Sequence, residues 1–247
     1  LTPDRSDDNV SFSNRLDPMQ EPMIQILPSL LAADFGRFAE ECRRAEAAGA
    51  DALHLDAMDG HFVRNISFGP DVVRMARAAC GLPLSVHLMI DRPDLYLRAF
   101  ADAGSTVIQI HLEAPCDVRA TLRDIRGLGI RAGLTLNPET PLDGALGLLA
   151  ERLADEVLFM SVHPGFGGQS FMPSVLPKIR ALRDRDPEID IVVDGGIGEA
   201  SAAPCAAAGA NAFVAGTTLF RAPDMAAATA GLRAAAAGAY RGGGGPA

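Results

Sequence analysis

Apolar positions along this chain switch between two periods. Short β-type runs fall at 24–27, 52–57, 84–88, 107–112, 132–136, 157–162, 189–193 and 212–215. Between and after them, apolar residues recur at helical spacing over 35–48, 72–79, 95–103, 118–128, 142–153, 175–185, 200–208 and 225–237. Gly49, Gly104, Gly129 and Gly209 end helical stretches in the usual helix-stop, strand-start form. Eight strand–helix units result, and such regular alternation predicts a parallel sheet. Eight units in about 220 residues fit a single (β/α)8 TIM barrel better than an open doubly wound sheet. No GxGxxG fingerprint follows the first strand, which weakens the open-sheet alternative.

The pattern weakens at both ends. Residues 1–22 are polar and carry Asp4, Asp7, Asp8, Asp17 and Glu21 without an apolar signal core. They are expected to form a disordered extension, with Met23 as the expected native start, a barrel domain over 23–238 and a flexible Gly-rich tail over 239–247. No apolar run reaches the roughly 18–20 residues that span a membrane.

Composition narrows the chemistry. The 22 Lys+Arg against 31 Asp+Glu give a net charge of -9, the wrong sign for a non-specific nucleic-acid binder. Lys178 is the single lysine in 247 residues, so Schiff-base chemistry must use it or be excluded. Cys42, Cys80, Cys116 and Cys205 form no close pair. That argues against a disulfide framework or a cysteine zinc site, and suits inert packing in a reducing, cytoplasmic compartment.

The five histidines fall near predicted strand ends or just beyond: His54 in strand two, His61 in the next loop, and His87, His111 and His163 at the ends of strands three, four and six. In a barrel that rim carries the active site. Period-2 alternation puts His54, Asp56 and Met58 on one face, and His87 and Met89 on one face. Strand seven ends in Asp194-Gly195-Gly196. Two imidazoles and two carboxylates could converge on one divalent cation, and N/O ligands suit zinc, iron, manganese or cobalt alike. The plainer alternatives are a solvated turn acid at Asp194 and ordinary core packing for Met58, Met89 and Met160.

Glycine-rich segments follow the last three strands: Pro164-Gly165-Phe166-Gly167-Gly168-Gln169, Gly195-Gly196-Ile197 and Gly216-Thr217-Thr218. Such backbone can approach an anion closely, and barrels often hold phosphate after strands seven and eight. Plain turn glycine is the alternative.

The stretches LPSLLAADF, HLDAMDGHFVRNISFGP, VHLMIDRPDLY, GLTLNPETP, SVHPGFGGQSF, VDGGI and VAGTTLF resemble the ribulose-phosphate 3-epimerase family, in unbroken order from about Ile24 to Phe220. The resemblance implies a ribulose-phosphate-binding TIM barrel. It implies metal-dependent interconversion of D-ribulose 5-phosphate and D-xylulose 5-phosphate in the pentose phosphate pathway, and a homo-oligomer. It implies His54, Asp56, His87 and Asp194 as metal ligands, with Asp56 and Asp194 as the acid/base pair. Ser29 and His87 would contact the sugar, and Gly165, Phe166, Gly167, Gly168, Gly195, Gly196, Gly216 and Thr217 would contact substrate toward the phosphate. Met58, Met89 and Met160 would line the site as thioethers.

Four positions depart from the family pattern. His163 precedes PGFGG where Asn or Asp is usual, and is expected to reshape the site near Met160 or bind a neighbouring group. Arg64 stands for a proline, Thr217 for a Ser, and Gly198 for an Asn. Two other activities remain to be weighed: a sister epimerase acting on D-allulose 6-phosphate, and a lyase on a phosphate-binding barrel. The distance of Lys178 from the rim argues against the lyase. A binding protein without activity would be expected to lack a ligand, and all four are present.

Overall fold

The computed structural model describes residues 24–241. The expectations for residues 1–22, for Met23 and for the tail from Gly242 onward lie outside the described residues. Eight strands are described: β1 (Gln25–Pro28), β2 (Leu53–Met58), β3 (Leu84–Met89), β4 (Val107–His111), β5 (Arg131–Leu136), β6 (Glu156–Met160), β7 (Asp190–Asp194) and β8 (Ala212–Ala215). The helices between and after them are α1 (Phe38–Ala47), α2 (Pro70–Ala79), α3 (Leu97–Asp102), α4 (Val118–Gly127), α5 (Asp143–Ala150), α6 (Leu176–Arg185), α7 (Glu199–Ala208), α8 (Thr217–Phe220) and α9 (Met225–Ala239). No helix among the described residues is long and apolar enough to cross a membrane.

All neighbouring strands pair in parallel, in the order β1-β8-β7-β6-β5-β4-β3-β2. The ring closes between β1 and β2 through the parallel bridge Ser29↔His54 and a hydrogen bond from Asp51 N to Ile26 O (3.0 Å). This is the expected barrel. Some element boundaries differ from the sequence pattern. Asp34 accepts from Gly36 N (2.9 Å) and folds Phe35–Arg37 into a separate turn, so α1 starts at Phe38. Pro93–Leu95 forms a similar turn ahead of α3. Strand β6 ends at Met160, which leaves His163 in the following loop.

Alternation sorts each strand into two faces. Leu53, Leu55, Ala57, Leu84, Val86, Leu88, Ile108 and Ile110 are buried against the helices as part of the main apolar core. The opposite face points into the barrel. On β1, β6, β7 and β8 it is largely apolar, with Leu27, Leu158, Met160, Val192 and Val214 in one cluster. On β2 to β5 it is polar: His54, Asp56, Ser85, His87, Gln109, His111 and Thr135 are all buried. Gly133 of β5 makes room for this half, because a Cβ there would lie 2.5 Å from Gln109 Cγ. The Gln109 amide then reaches Glu156 Oε1 at 2.6 Å.

A buried guanidinium ties the lower rim together. Arg183 of α6 is fully buried and donates to Gly209 O (2.9 Å), Pro187 O (2.8 Å) and Asp186 O (3.2 Å), and to Asn211 Oδ1 (3.2 Å). Asn211 Oδ1 also accepts from Ile191 N (2.7 Å), which links α6, β7 and β8. Removing the guanidinium leaves the buried Gly209 O without this donor, takes one of two donors from buried Asn211 Oδ1, frees the part-buried Asp186 and Pro187 carbonyls, and empties a fully buried volume. A buried acceptor left unpaired costs about 1–3 kcal/mol. Arg183→Leu is therefore expected to destabilise the barrel by about 3 kcal/mol or more in urea unfolding. A loss under about 1 kcal/mol would contradict this role.

Candidate active site and metal centre

The polar half of the barrel converges on Asp56. Its Oδ2 accepts from Ser29 Oγ at 2.8 Å. Its Oδ1 lies 3.2 Å from His87 Nδ1 and 3.2 Å from His54 Nε2. Asp194 Oδ2 lies 4.0 Å from His54 Nε2. One donor atom from each of His54, Asp56, His87 and Asp194 falls within 4.8 Å of the other three. Register explains the assembly: Asp56 is paired with His87 across β2 and β3, while Asp194 ends β7 beside Met160 of β6.

The donor set fits a divalent cation. Both ring nitrogens of His54 are buried: Nδ1 lacks a hydrogen-bond partner among the described residues, and Nε2 has only the carboxylates of Asp56 (3.2 Å) and Asp194 (4.0 Å) beside it. A buried imidazole left so is costly unless something else uses its lone pair. Two nitrogens and two carboxylates in mutual reach are the donors that zinc, iron, manganese or cobalt accept.

Electrostatics divide the two carboxylates. Burial alone would raise the pKa of Asp56, but His54 and His87 outweigh it and hold the group well below the usual carboxylate range. Asp194 is raised to about 7, by burial and then by the charge on Asp56. Burial works against a charge on His54, yet Asp56 and Asp194 together raise its pKa. His87 is lowered to about 4, by burial acting against the pull of Asp56.

Above this cluster opens a cleft of about 980 Å³. Ser29, Asp56, Met58, Met89, Met160 and Asp194 line its floor, with Gly165, Phe166, Gly167, Gly168, Gly195, Gly196, Gly216 and Thr217 on its walls. His54 and His87 lie behind the floor, fully buried. The Gly-rich wall is pinned by Gln169, whose Nε2 donates to His163 O (2.7 Å) and Phe166 O (2.8 Å). Asn65 Nδ2 donates to Gly165 O (2.6 Å) from the loop after β2. Gly196 has φ +63°, and a Cβ there would lie 2.5 Å from Phe171 N. Only glycine suits that position. Ser161 Oγ sits 2.9 Å from Asp194 O and 2.7 Å from Gly195 O, holding the end of β7 in place.

Other residues singled out from sequence lie elsewhere. His163 is exposed and points to Glu139 Oε1 (3.4 Å), away from the cleft lining, because β6 stops three residues before it. Arg64 is exposed and outside the cleft lining. His61 is exposed, and its ring Nδ1 faces Asp59 O (3.1 Å). The Lys178 ammonium is far from reactive use: it donates to Asn137 O (2.8 Å), Pro138 O (2.9 Å) and Thr140 O (3.0 Å). The four cysteines are free thiols, as expected. Sequence reasoning gave no role to Arg221, the one cationic side chain on the cleft lining, or to the pair His111 and Glu113 behind His87. A visible signal for that pair is the alternating His-Leu-Glu at the end of β4.

Residues 25–220 match the model of the Ribulose-phosphate 3 epimerase family. The chain is 48% identical over 218 residues to "Ribulose-phosphate 3-epimerase" of Synechocystis sp., covering 85% of this chain and 93% of that one. It is 42% identical over 219 residues to the Bacillus subtilis protein of the same name, covering 85% and 99%. Among solved structures, KGPDC from Streptococcus mutans in complex with D-R5P superposes with a TM-score of 0.67 at 14% identity, over 90% of this chain and 100% of that one. 3-Hexulose-6-phosphate synthase from Salmonella typhimurium gives 0.65 at 14% identity, over 88% and 100%. The structural likeness establishes the barrel, and the sequence identity establishes more: the chain belongs to the ribulose-phosphate 3-epimerase family of enzymes.

Proposed function

We propose that this chain epimerises D-ribulose 5-phosphate and D-xylulose 5-phosphate at C3, with Asp56 and Asp194 as the two proton-transfer groups and a divalent cation held by His54, Asp56, His87 and Asp194. The step belongs to the pentose phosphate pathway. The observation that supports the mechanism is geometric: Asp56 and Asp194, from β2 and β7, line one cleft floor, both beside the His54 imidazole. Two carboxylates facing one cleft can serve as proton acceptor and proton donor.

The chemistry needs two such groups. The C3 hydrogen is acidic because the C2 ketone can take up the electron pair as the C3–H bond breaks. Protonation from the same side restores the starting sugar, whereas protonation from the opposite side inverts C3. One carboxylate accepts the proton and the other, already protonated, delivers its own to the far face. In the reverse direction the roles exchange. Strands β2 and β7, which carry the pair, are three steps apart around the ring. A cation at the site supplies Lewis-acid stabilisation of the negative charge that the enediolate carries. Ser29 orients Asp56 through its 2.8 Å hydrogen bond. Met58, Met89 and Met160 leave apolar, polarizable surface beside the reacting carbons.

In this reading the phosphate end is held by Gly165 to Gly168, Gly195, Gly196, Gly216 and Thr217, all of which line the cleft. Backbone N–H groups bind an anion without a lysine, which reconciles a -9 chain with an anionic substrate.

Three outcomes test this reading. In heavy water, the protein should exchange deuterium into C3 of D-ribulose 5-phosphate and form xylulose 5-phosphate, followed by NMR. Absence of both exchange and product overturns the assignment, and faster turnover of D-allulose 6-phosphate would move it to the sister activity. Asp56→Asn and Asp194→Asn should each lower kcat by about 10²–10⁴-fold with the far-UV circular dichroism unchanged; near-normal turnover in either removes the two-carboxylate scheme. Gly196→Ala should raise KM for the sugar phosphate more than it lowers kcat, since it displaces the wall and leaves the carboxylates alone. A fall in kcat with KM unchanged would place Gly196 in the chemistry instead.

A further inference from the structure

Behind the candidate metal site lies a chain of buried hydrogen bonds that the proposed mechanism does not use. His87 turns Nδ1 toward Asp56 Oδ1 (3.2 Å), and its Nε2 lies 2.8 Å from Nε2 of His111. The ring planes lie within 26° of each other and the centroids are 4.9 Å apart, so the rings meet edge to edge through these nitrogens. Both imidazoles are fully buried. Two nitrogens at hydrogen-bond distance share one proton, so one ring donates and the other accepts. Which way this bond runs decides which nitrogen of His87 keeps a free lone pair.

Asp56 Oδ1 by itself would draw a proton onto His87 Nδ1; with a cation in the cluster taking that carboxylate, the far end of the chain decides the direction. His111 Nδ1 lies 3.1 Å from Glu113 Oε2. The other oxygen, Oε1, accepts from Asn137 N (2.9 Å) and from Thr140 Oγ1. Burial alone would raise the pKa of Glu113, but the His111 contact and these bonds outweigh it and hold the carboxyl down at about 2, below the usual carboxylate range, so Glu113 faces His111 as an ionised acceptor. His111 must then donate from Nδ1, which leaves its Nε2 as the acceptor. His87 in turn must donate from Nε2, and its Nδ1 lone pair faces the cluster. The loop that carries the Asn137 and Thr140 donors is itself held by Lys178, whose three N–H groups match the carbonyls of Asn137, Pro138 and Thr140.

We infer that Glu113 and His111 are positioning residues that set the tautomer of His87, holding it as the Nε2–H form so that Nδ1 is the ligand atom presented to the cation. This rests on the reading of His54, Asp56, His87 and Asp194 as a metal site. Partners that orient a metal-binding imidazole through its second nitrogen commonly tune affinity by 10–100-fold. Here the orientation is passed through a second imidazole, from a carboxylate on the loop after β4.

The test uses the full chain loaded with zinc. Long-range 15N–1H spectra of the wild type should show His87 protonated at Nε2 and His111 protonated at Nδ1; His87 protonated at Nδ1 overturns the inference without any variant. Zinc affinity, measured by chelator competition, should fall about 10–100-fold in Glu113→Gln. It should fall at least as far in His111→Phe, which keeps a ring but removes the acceptor. In the His111→Phe background, Glu113→Gln should cost nothing further, since the relay is already cut. Additive losses would mean that Glu113 acts only by holding its loop, and affinity within twofold of wild type in Glu113→Gln would remove the relay. A wild-type protein that takes up no zinc, iron, manganese or cobalt would fail the metal reading itself, and the inference with it. Zinc bound equally well by wild type and variants would fail the inference alone.

Discussion

Asp56 is the constraint on which the rest of the structure depends. A carboxylate in a barrel interior is expensive unless its oxygens are satisfied. Three neighbours on three strands stand within reach: Ser29 just beyond β1, His54 on β2 and His87 on β3. The same contacts close the ring, since Ser29 and His54 form the parallel bridge between the first and second strands. Barrel closure and site assembly are thus one event in the packing.

The division of the barrel interior follows from this. Strands β2 to β5 fill their inward face with groups that can hydrogen-bond one another, while β1, β6, β7 and β8 fill theirs chiefly with aliphatic side chains. Asp194 and Glu156 are the inward acids on the apolar side. Burial raises the pKa of both carboxyl groups. The asymmetry between Asp56 and Asp194 therefore comes from the two halves of the fold: one acid sits among imidazoles, the other at the edge of a hydrocarbon wall. The glycine-rich loops stand on that second side, so the cleft lies between a polar floor and an amide-rich wall.

Much of this was legible in the sequence, for physical reasons. The βα alternation read as a barrel because strand and helix periods differ. His54 and Asp56 were legible as neighbours because side chains two apart share a strand face; Asp194 was legible as a carboxylate on the barrel rim, and only the family resemblance favoured it over a solvated turn acid. The resemblance in PGFGGQ and DGHF supplied the chemistry. What escaped depends on contacts between distant segments. His163, expected to reshape the site, lies in the loop beyond β6, exposed and facing Glu139. The relay from Glu113 to His87 needs the register of β3 against β4 and a loop from β5, none of which a local pattern reveals. Arg183 lies within the helical stretch 175–185, and no local pattern marks it as the fully buried residue that it is.

The central claim is that four side chains from β2, β3 and β7 gather one divalent cation beside the two carboxylates. X-ray absorption at the metal edge of the zinc-loaded protein tests it most directly. The account predicts two imidazole nitrogens and carboxylate oxygens at about 2.0–2.2 Å, with no sulfur scatterer. A shell of water oxygens alone, or one containing a cysteine sulfur at about 2.3 Å, would contradict it.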